Sequence, residues 1–410
     1  MQLVQGKLSR LIYGITFLLG FSFPVSTALQ NSGIVTLIIL SLIDKDSRSQ
    51  LVIAFKTPFV RSVLVMYGLF IVGVIWSSGS SHDIWHMLVK MDIYLFAPLF
   101  MGLFCNVQYK KSLFWGFACG TMLGVILSLI STLMPYHFFI PQNGIFFTYH
   151  GHVLHTFRGH TYQNYFAGIL SVTLFALMLT RSVRPVWRLI NSLCIVLCVI
   201  DVFFAMTGRT GQILFVLMFV LLFVQWRVKL GLLISAFLLL VVVPLFIYSS
   251  PKLQHGIEAY VSDMSNYQAG KLSTSVGARV EFHRVSQILI MESPIFGHGT
   301  GSFNNEFLKL KSTTVTTNPH NDYLWFGVEL GLMGIISLVG VILATLYQSY
   351  RLAPPWQYLG VILVTTYAVA CFENSFFTDN ITGQAFVIFA CCLFAGNGFK
   401  KSIHGKNKQL

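Results

Sequence analysis

Arg209, Arg279 and His320 are the positions of this sequence best suited to anion and hydroxyl chemistry. Arg209 lies in Gly208-Arg209-Thr210-Gly211, between two apolar runs with almost no loop. A cation so near hydrocarbon is costly unless it is buried in protein, faces a wet cavity or snorkels to the headgroups. Arg279 and His283 are four residues apart and share one face of a helix, whereas Arg284 points elsewhere. Taken singly, Arg279 and Arg284 each read equally well as a solvated surface charge. Converging near a membrane surface, they suit a phosphate or pyrophosphate, because guanidinium binds such oxygens in a bidentate fork. His320 follows Asn318-Pro319 and precedes Asn321-Asp322, where a helix begins. Asn or Asp there can cap that helix. An imidazole at a water-accessible edge can take a proton from a hydroxyl near neutral pH.

Other groups give weaker signals. His150, His152, His155 and His160 crowd one segment, but the spacing matches no standard zinc pattern and no carboxylate lies among them. No metal is expected, and these residues read as lining of a cavity at headgroup level. The turn Gly297-His298-Gly299-Thr300-Gly301 lacks the Gly-Lys-Ser/Thr ending of a nucleotide phosphate loop, so no use of ATP is expected. Its glycines supply unusual backbone angles. Glu329, Glu373 and Asp201 lie within or near apolar runs, and intramembrane carboxylates often mark proton or ion pathways. They are the handle for a transporter reading. Against it, the ionisable groups gather on one side rather than near the bilayer midplane, and no internal repeat is visible.

The elements that must position these residues are membrane-spanning. Of the 410 residues, 55% are hydrophobic and 10% charged, against roughly 25% charged in soluble domains. Apolar runs near spanning length recur throughout, and lipid offers their backbones no partners, so they must be helical. The expected spans are 11–29, 32–43, 62–77, 92–106, 113–134, 162–180, 189–207, 212–225, 230–248, 322–348, 357–375 and 383–398. The N-terminal run resembles a signal peptide but is long and followed by further spans, so it reads as an uncleaved first helix. The seven cysteines all fall in or beside apolar runs, a poor place for disulfides.

The net charge of +13 could suggest nucleic acid. The basic residues instead sit in short clusters between apolar runs, so no nucleic-acid partner is expected. Alternate loops carry about twice as many of them as the others do, which places both termini in the cytoplasm. The expected fold is thus an all-α integral membrane protein of about twelve transmembrane helices. It forms one domain, 1–410, with a large, partly helical periplasmic loop, 249–321, between the ninth and tenth. That loop reads as a helix near 251–266, a turn through Ala269 and Gly270, and a helix near 277–292. Val280, Val285, Ile288 and Leu289 give the second helix an apolar side that packs toward the membrane domain.

The run Gly277-Ala278-Arg279, then Pro294-x-x-Gly297-x-Gly299-x-Gly301-Ser302-Phe303, Pro319-His320-Asn321-x-x-Leu324 and Glu329-Leu330-Gly331-x-x-Gly334 resembles the module of the O-antigen ligase and polymerase family. Gly208-Arg209-Thr210 and the Arg158–Ala167 segment are similar to its upstream motifs. The resemblance implies a GT-C-like glycosyltransferase of the bacterial inner membrane. It would pass a glycan from undecaprenyl pyrophosphate to a hydroxyl of lipid A–core on the periplasmic side, without metal, ATP or other cofactor. Arg209 and Arg279 would hold the pyrophosphate and His320 would serve the acceptor hydroxyl. Arg158, Arg284, His283, Asn321 and Glu329 would support them. Where the family commonly shows a Gly-Asn-Pro-Asn-like run, this chain has Gly159-His160-Thr161-Tyr162-Gln163-Asn164, which puts the role of Arg158 in doubt. A polymerase using a second lipid-linked glycan, and a protein O-oligosaccharyltransferase, are rivals with the same donor. No outside arginine has a glycine eleven positions on, as polymerase repeats do, which leans toward the ligase.

Overall fold

The computed structural model describes residues 2–133, 148–150, 153–155, 157–206, 208–268, 275–310 and 318–396. Among these, eight helices are long and apolar enough to cross a membrane: Gly6–Val25, Pro58–Trp76, Val107–Thr132, His160–Thr180, Pro185–Ala205, Arg209–Trp226, Val228–Ser249 and Asp322–Tyr350. Three further apolar helices are shorter, Thr27–Ile43, Trp356–Ala370 and Asn380–Phe394. The chain is therefore a multi-pass helical membrane protein. Leu233, Leu240 and Ile75 project outward, 69%, 76% and 83% exposed, as lipid-facing side chains do.

The expected span 92–106 is not one helix. It breaks into a 3-10 turn, Asp92–Tyr94, and a short helix, Ala97–Leu103. Pro98 stands in the first turn of that second piece, where its missing N–H leaves no bond unmade. The segment 249–321 carries the expected pair of helices, Pro251–Gln268 and Ser275–Glu292, and a third, Phe303–Lys309. Ala269 and Gly270 lie outside the described residues. A small antiparallel hairpin pairs Thr148–His150 with Val153–His155.

Buried aromatics fill the bundle. Tyr165 packs edge-on against Tyr367 and Phe376, with centroids 5.4 and 5.3 Å away. Its hydroxyl lies 3.2 Å from Thr366 Oγ1, and the Tyr367 hydroxyl donates to the Thr382 carbonyl at 2.6 Å. Each buried phenol thus keeps a polar partner. Together they lock the helices His160–Thr180, Trp356–Ala370 and Asn380–Phe394 below the segment Cys371–Asp379, which supports the site.

Candidate active site

His320 sits on a short segment that is tied on both sides of it. The Asn318 side chain accepts the His320 N–H at 2.8 Å and the Ser375 hydroxyl at 2.6 Å. Asn321 caps the long helix by accepting from Leu324 N at 3.0 Å, and its amide donates to the Phe372 carbonyl at 3.1 Å. Asp322 is fully buried and accepts from Thr378 Oγ1, Phe377 N and Cys371 Sγ at 2.6, 2.7 and 3.1 Å. Between these anchors His320 has φ +52°, the one non-glycine in the left-handed region among the described residues. Such a conformation costs about 1–3 kcal/mol and persists only where neighbours over-determine it, as they do at functional sites.

The loop helix Ser275–Glu292 lies beside this segment. Its apolar face buries Phe282, Val285 and Leu289, and the Phe282 ring stacks on the His320 imidazole with centroids 6.2 Å apart. Arg279 reaches Glu373 at 3.8 Å while remaining 34% exposed. Burial, reinforced by the Arg279 charge, holds the His320 imidazole below its ordinary pKa. His283 is also lowered by burial, with Glu373 opposing and Arg279 adding to the effect. Arg279, His283, His320 and Glu373 therefore form one electrostatic cluster. Arg284 turns away and grips Glu281 through two bonds of 2.7 and 2.8 Å.

The other expected residues stand elsewhere. Arg209 opens its helix after Gly208, which has φ +121°. Its guanidinium donates to the Gly256 carbonyl at 3.4 Å and lies 5.2 Å from the Tyr260 ring. It thus flanks the helix Pro251–Gln268, and no described contact joins it to Arg279 or His320. Arg158 is buried and donates to the Phe23 and Ser22 carbonyls at 3.1 and 3.3 Å, to Gln30 Oε1 at 3.1 Å and to Thr27. These bonds hold the last turn of the first helix against the first turns of Thr27–Ile43. Burial lowers the Arg158 pKa to about 10, with Asp379 and Tyr162 opposing.

Glu329 is buried and accepts from Trp325 Nε1 at 2.7 Å. Asp201 likewise accepts from Gln163 Nε2 at 2.8 Å. The long helix breaks at Gly331, whose φ and ψ are 61° and −148°. Into that break fits the glycine turn, with Gly297, Gly299 and Gly301 at φ +66°, +92° and +74°. His298 N and Gly299 N donate to the Val328 and Glu329 carbonyls at 2.9 and 2.8 Å. A Cβ on Gly331 would lie 2.5 Å from the Ile295 backbone. The glycine motif is therefore a joint between backbones.

Sequence reasoning missed the platform Cys371–Asp379 and Lys90. Glu373, expected within or near an apolar helix, stands in the turn after Trp356–Ala370. Asp379 caps Asn380–Phe394 and accepts from the Tyr162 hydroxyl at 3.0 Å. Lys90 lies 4.6 Å over the Trp325 ring, its pKa lowered by burial against the opposing pull of Asp379, Asp322 and Glu329. A lysine directly before an apolar run was the available signal. His150 and His155 fall on the hairpin strands, His152 lies outside the described residues, and His160 begins a helix. Among the described residues no three metal-binding side chains gather.

A bundle of apolar helices bearing an arginine–imidazole cluster on a segment beside it defines a polytopic membrane protein with its polar site at one end. Residues 193–339 match the family model described as O-antigen ligase, which supports an assignment of this segment to that family. The match takes in Arg209, Arg279, His320, Glu329 and the glycine turn. Lys90, Glu373 and Asp379 lie outside it. The chain is also 31% identical over 165 residues to an uncharacterized protein of Haemophilus influenzae, across 36% of this chain and 41% of that protein. The alignment thus spans less than half of that relative.

Proposed function

We propose that this protein is the O-antigen ligase itself. It would move a glycan from undecaprenyl pyrophosphate to a hydroxyl of lipid A–core at the periplasmic face of the bacterial inner membrane. The observation that carries the reading is His320, fixed in a left-handed conformation beside Arg279 with its imidazole biased toward the neutral form. A neutral imidazole can accept a proton, and a nearby guanidinium can hold a diphosphate. The acceptor oxygen attacks the anomeric carbon while the bond to the pyrophosphate oxygen breaks. The leaving pyrophosphate takes the electron pair, and the hydroxyl proton passes to His320. Displacement from the opposite face inverts the anomeric configuration.

Arg279 stabilises charge on the leaving group. Glu373 holds that guanidinium in place until the more highly charged pyrophosphate competes for it. Arg209, which stands against Pro251–Gln268, would contribute a second guanidinium to the diphosphate. Against the transporter reading, Glu373 pairs with Arg279 in a turn at the end of the bundle instead of lying within a span.

The test is a gel of lipopolysaccharide from a strain lacking the gene. Loss of every capped lipid A–core species, including the one bearing a single repeat, supports the ligase. Retention of the single-repeat species would make the protein a polymerase, and unchanged lipopolysaccharide would exclude both.

A further inference from the structure

At the end of the bundle away from His320 lies a cavity of about 540 Å³. It opens between the helices Val107–Leu133, His160–Thr180, Trp356–Ala370 and Asn380–Phe394. Phe114, Phe117, Ile169, Leu363 and Phe389 give it apolar walls, and Lys110, Lys111, Arg181 and Trp356 stand along it. Its size falls within the roughly 300–1,000 Å³ of ligand pockets. Cys371–Asp379, which supports His320, joins the opposite ends of Trp356–Ala370 and Asn380–Phe394. The cavity and the candidate active site therefore belong to opposite membrane faces.

The cations there are uncompensated. Lys110 Nζ donates to the Ala395 carbonyl at 2.5 Å, and the Arg181 guanidinium lies 5.6 Å from the Trp356 ring. Among the described residues no carboxylate pairs with Lys110, Lys111 or Arg181. Trp115 and Trp187 pack together nearby with centroids 5.8 Å apart, both 45% exposed. Exposed Trp beside basic residues marks headgroup depth. An apolar slot with a cationic rim at that depth matches an acyl chain below an anionic headgroup.

We propose that this crevice is a binding site for one anionic phospholipid of the leaflet opposite the active site. The phosphate rests against Lys111 and Arg181, and an acyl chain enters between Phe114 and Leu363. The lipid wedges four helices apart at one end while the aromatic cluster closes them at the other.

The test places the full-length protein in phosphatidylcholine nanodiscs with a rising fraction of phosphatidylglycerol brominated on its acyl chains. Saturable quenching of tryptophan fluorescence at low mole fraction is expected, and Trp356→Phe should remove most of it. The double variant Lys111→Ala/Arg181→Ala should raise half-saturation about 25-fold, roughly fivefold per lost cation. Thr173→Phe, which fills the slot, should abolish the saturable phase at an unchanged melting temperature. Equal quenching by brominated phosphatidylcholine overturns the proposal, as does an unshifted double variant. Should Thr173→Phe unfold the protein, the charge variants decide alone.

Discussion

His320 is where the arrangement makes its sharpest demand. Its pKa is lowered first by burial and then by Arg279, so the neutral, proton-accepting form persists below the ordinary value of about 6.5. Transfer should therefore fall only as pH drops through that lowered pKa. Replacing Arg279 by Gln removes a positive charge, raises the His320 pKa and should move the acid limb of the residual activity to higher pH. A limb that stays put would mean His320 is not the titrating group. His320→Ala should cost about 10²–10⁴-fold in rate, read as lipid-linked donor accumulating on the side where transfer occurs. If donor accumulated on the cytoplasmic side instead, the enzyme reading would fail. The types of these residues were legible in the sequence, as was the capping by Asn321. The company they keep was not. Glu373 meets Arg279 across 94 positions, and no local pattern encodes a tertiary pairing of that separation.

The decisive elements are interruptions in helices. The long helix is broken at Gly331 so that the turn through Gly297, Gly299 and Gly301 can bond its carbonyls. Gly331→Ala would place a Cβ against the Ile295 backbone at a φ of 61°. It should lower thermal stability by at least about 1–3 kcal/mol, measured as the unfolding midpoint in detergent. An unchanged midpoint would mean the joint is loose. Asp322→Ala should be comparably damaging, because three donors lose a buried acceptor. The glycine turn was readable from composition, since repeated glycines announce left-handed backbone. The break in 92–106 was announced only by Pro98, which interrupts the apolar run and opens the second piece.

Across the whole molecule, charge asymmetry predicts an orientation that labelling can check. A cysteine placed at Glu292, an exposed end of the loop helix, should react with an impermeant maleimide in intact cells from which the outer barrier has been stripped. One placed at Lys45 should react only after the inner membrane is opened. The reverse pattern would put the arginine–imidazole cluster on the wrong side for a periplasmic reaction. The bundle itself was legible, because apolar length and helical hydrogen bonding leave lipid-spanning chains few options. The number of full crossings was not, because several apolar runs are too short to declare how they meet the bilayer.

Those short helices have a consequence for the membrane itself. Trp356–Ala370 and Asn380–Phe394 have 15 residues each, so each covers only about 22 Å of a hydrocarbon core about 30 Å thick. Hydrophobic mismatch of this kind is relieved by local thinning of the bilayer. Part of the shortfall falls at Cys371–Asp379, beneath His320 and Arg279. The lipid surface should dimple there, letting a polyprenyl diphosphate reach the cluster with little exposure of its tail to water. Transfer measured in vesicles of graded acyl length should be fastest in the thinner bilayers, and a rate indifferent to thickness would remove this role for the short helices.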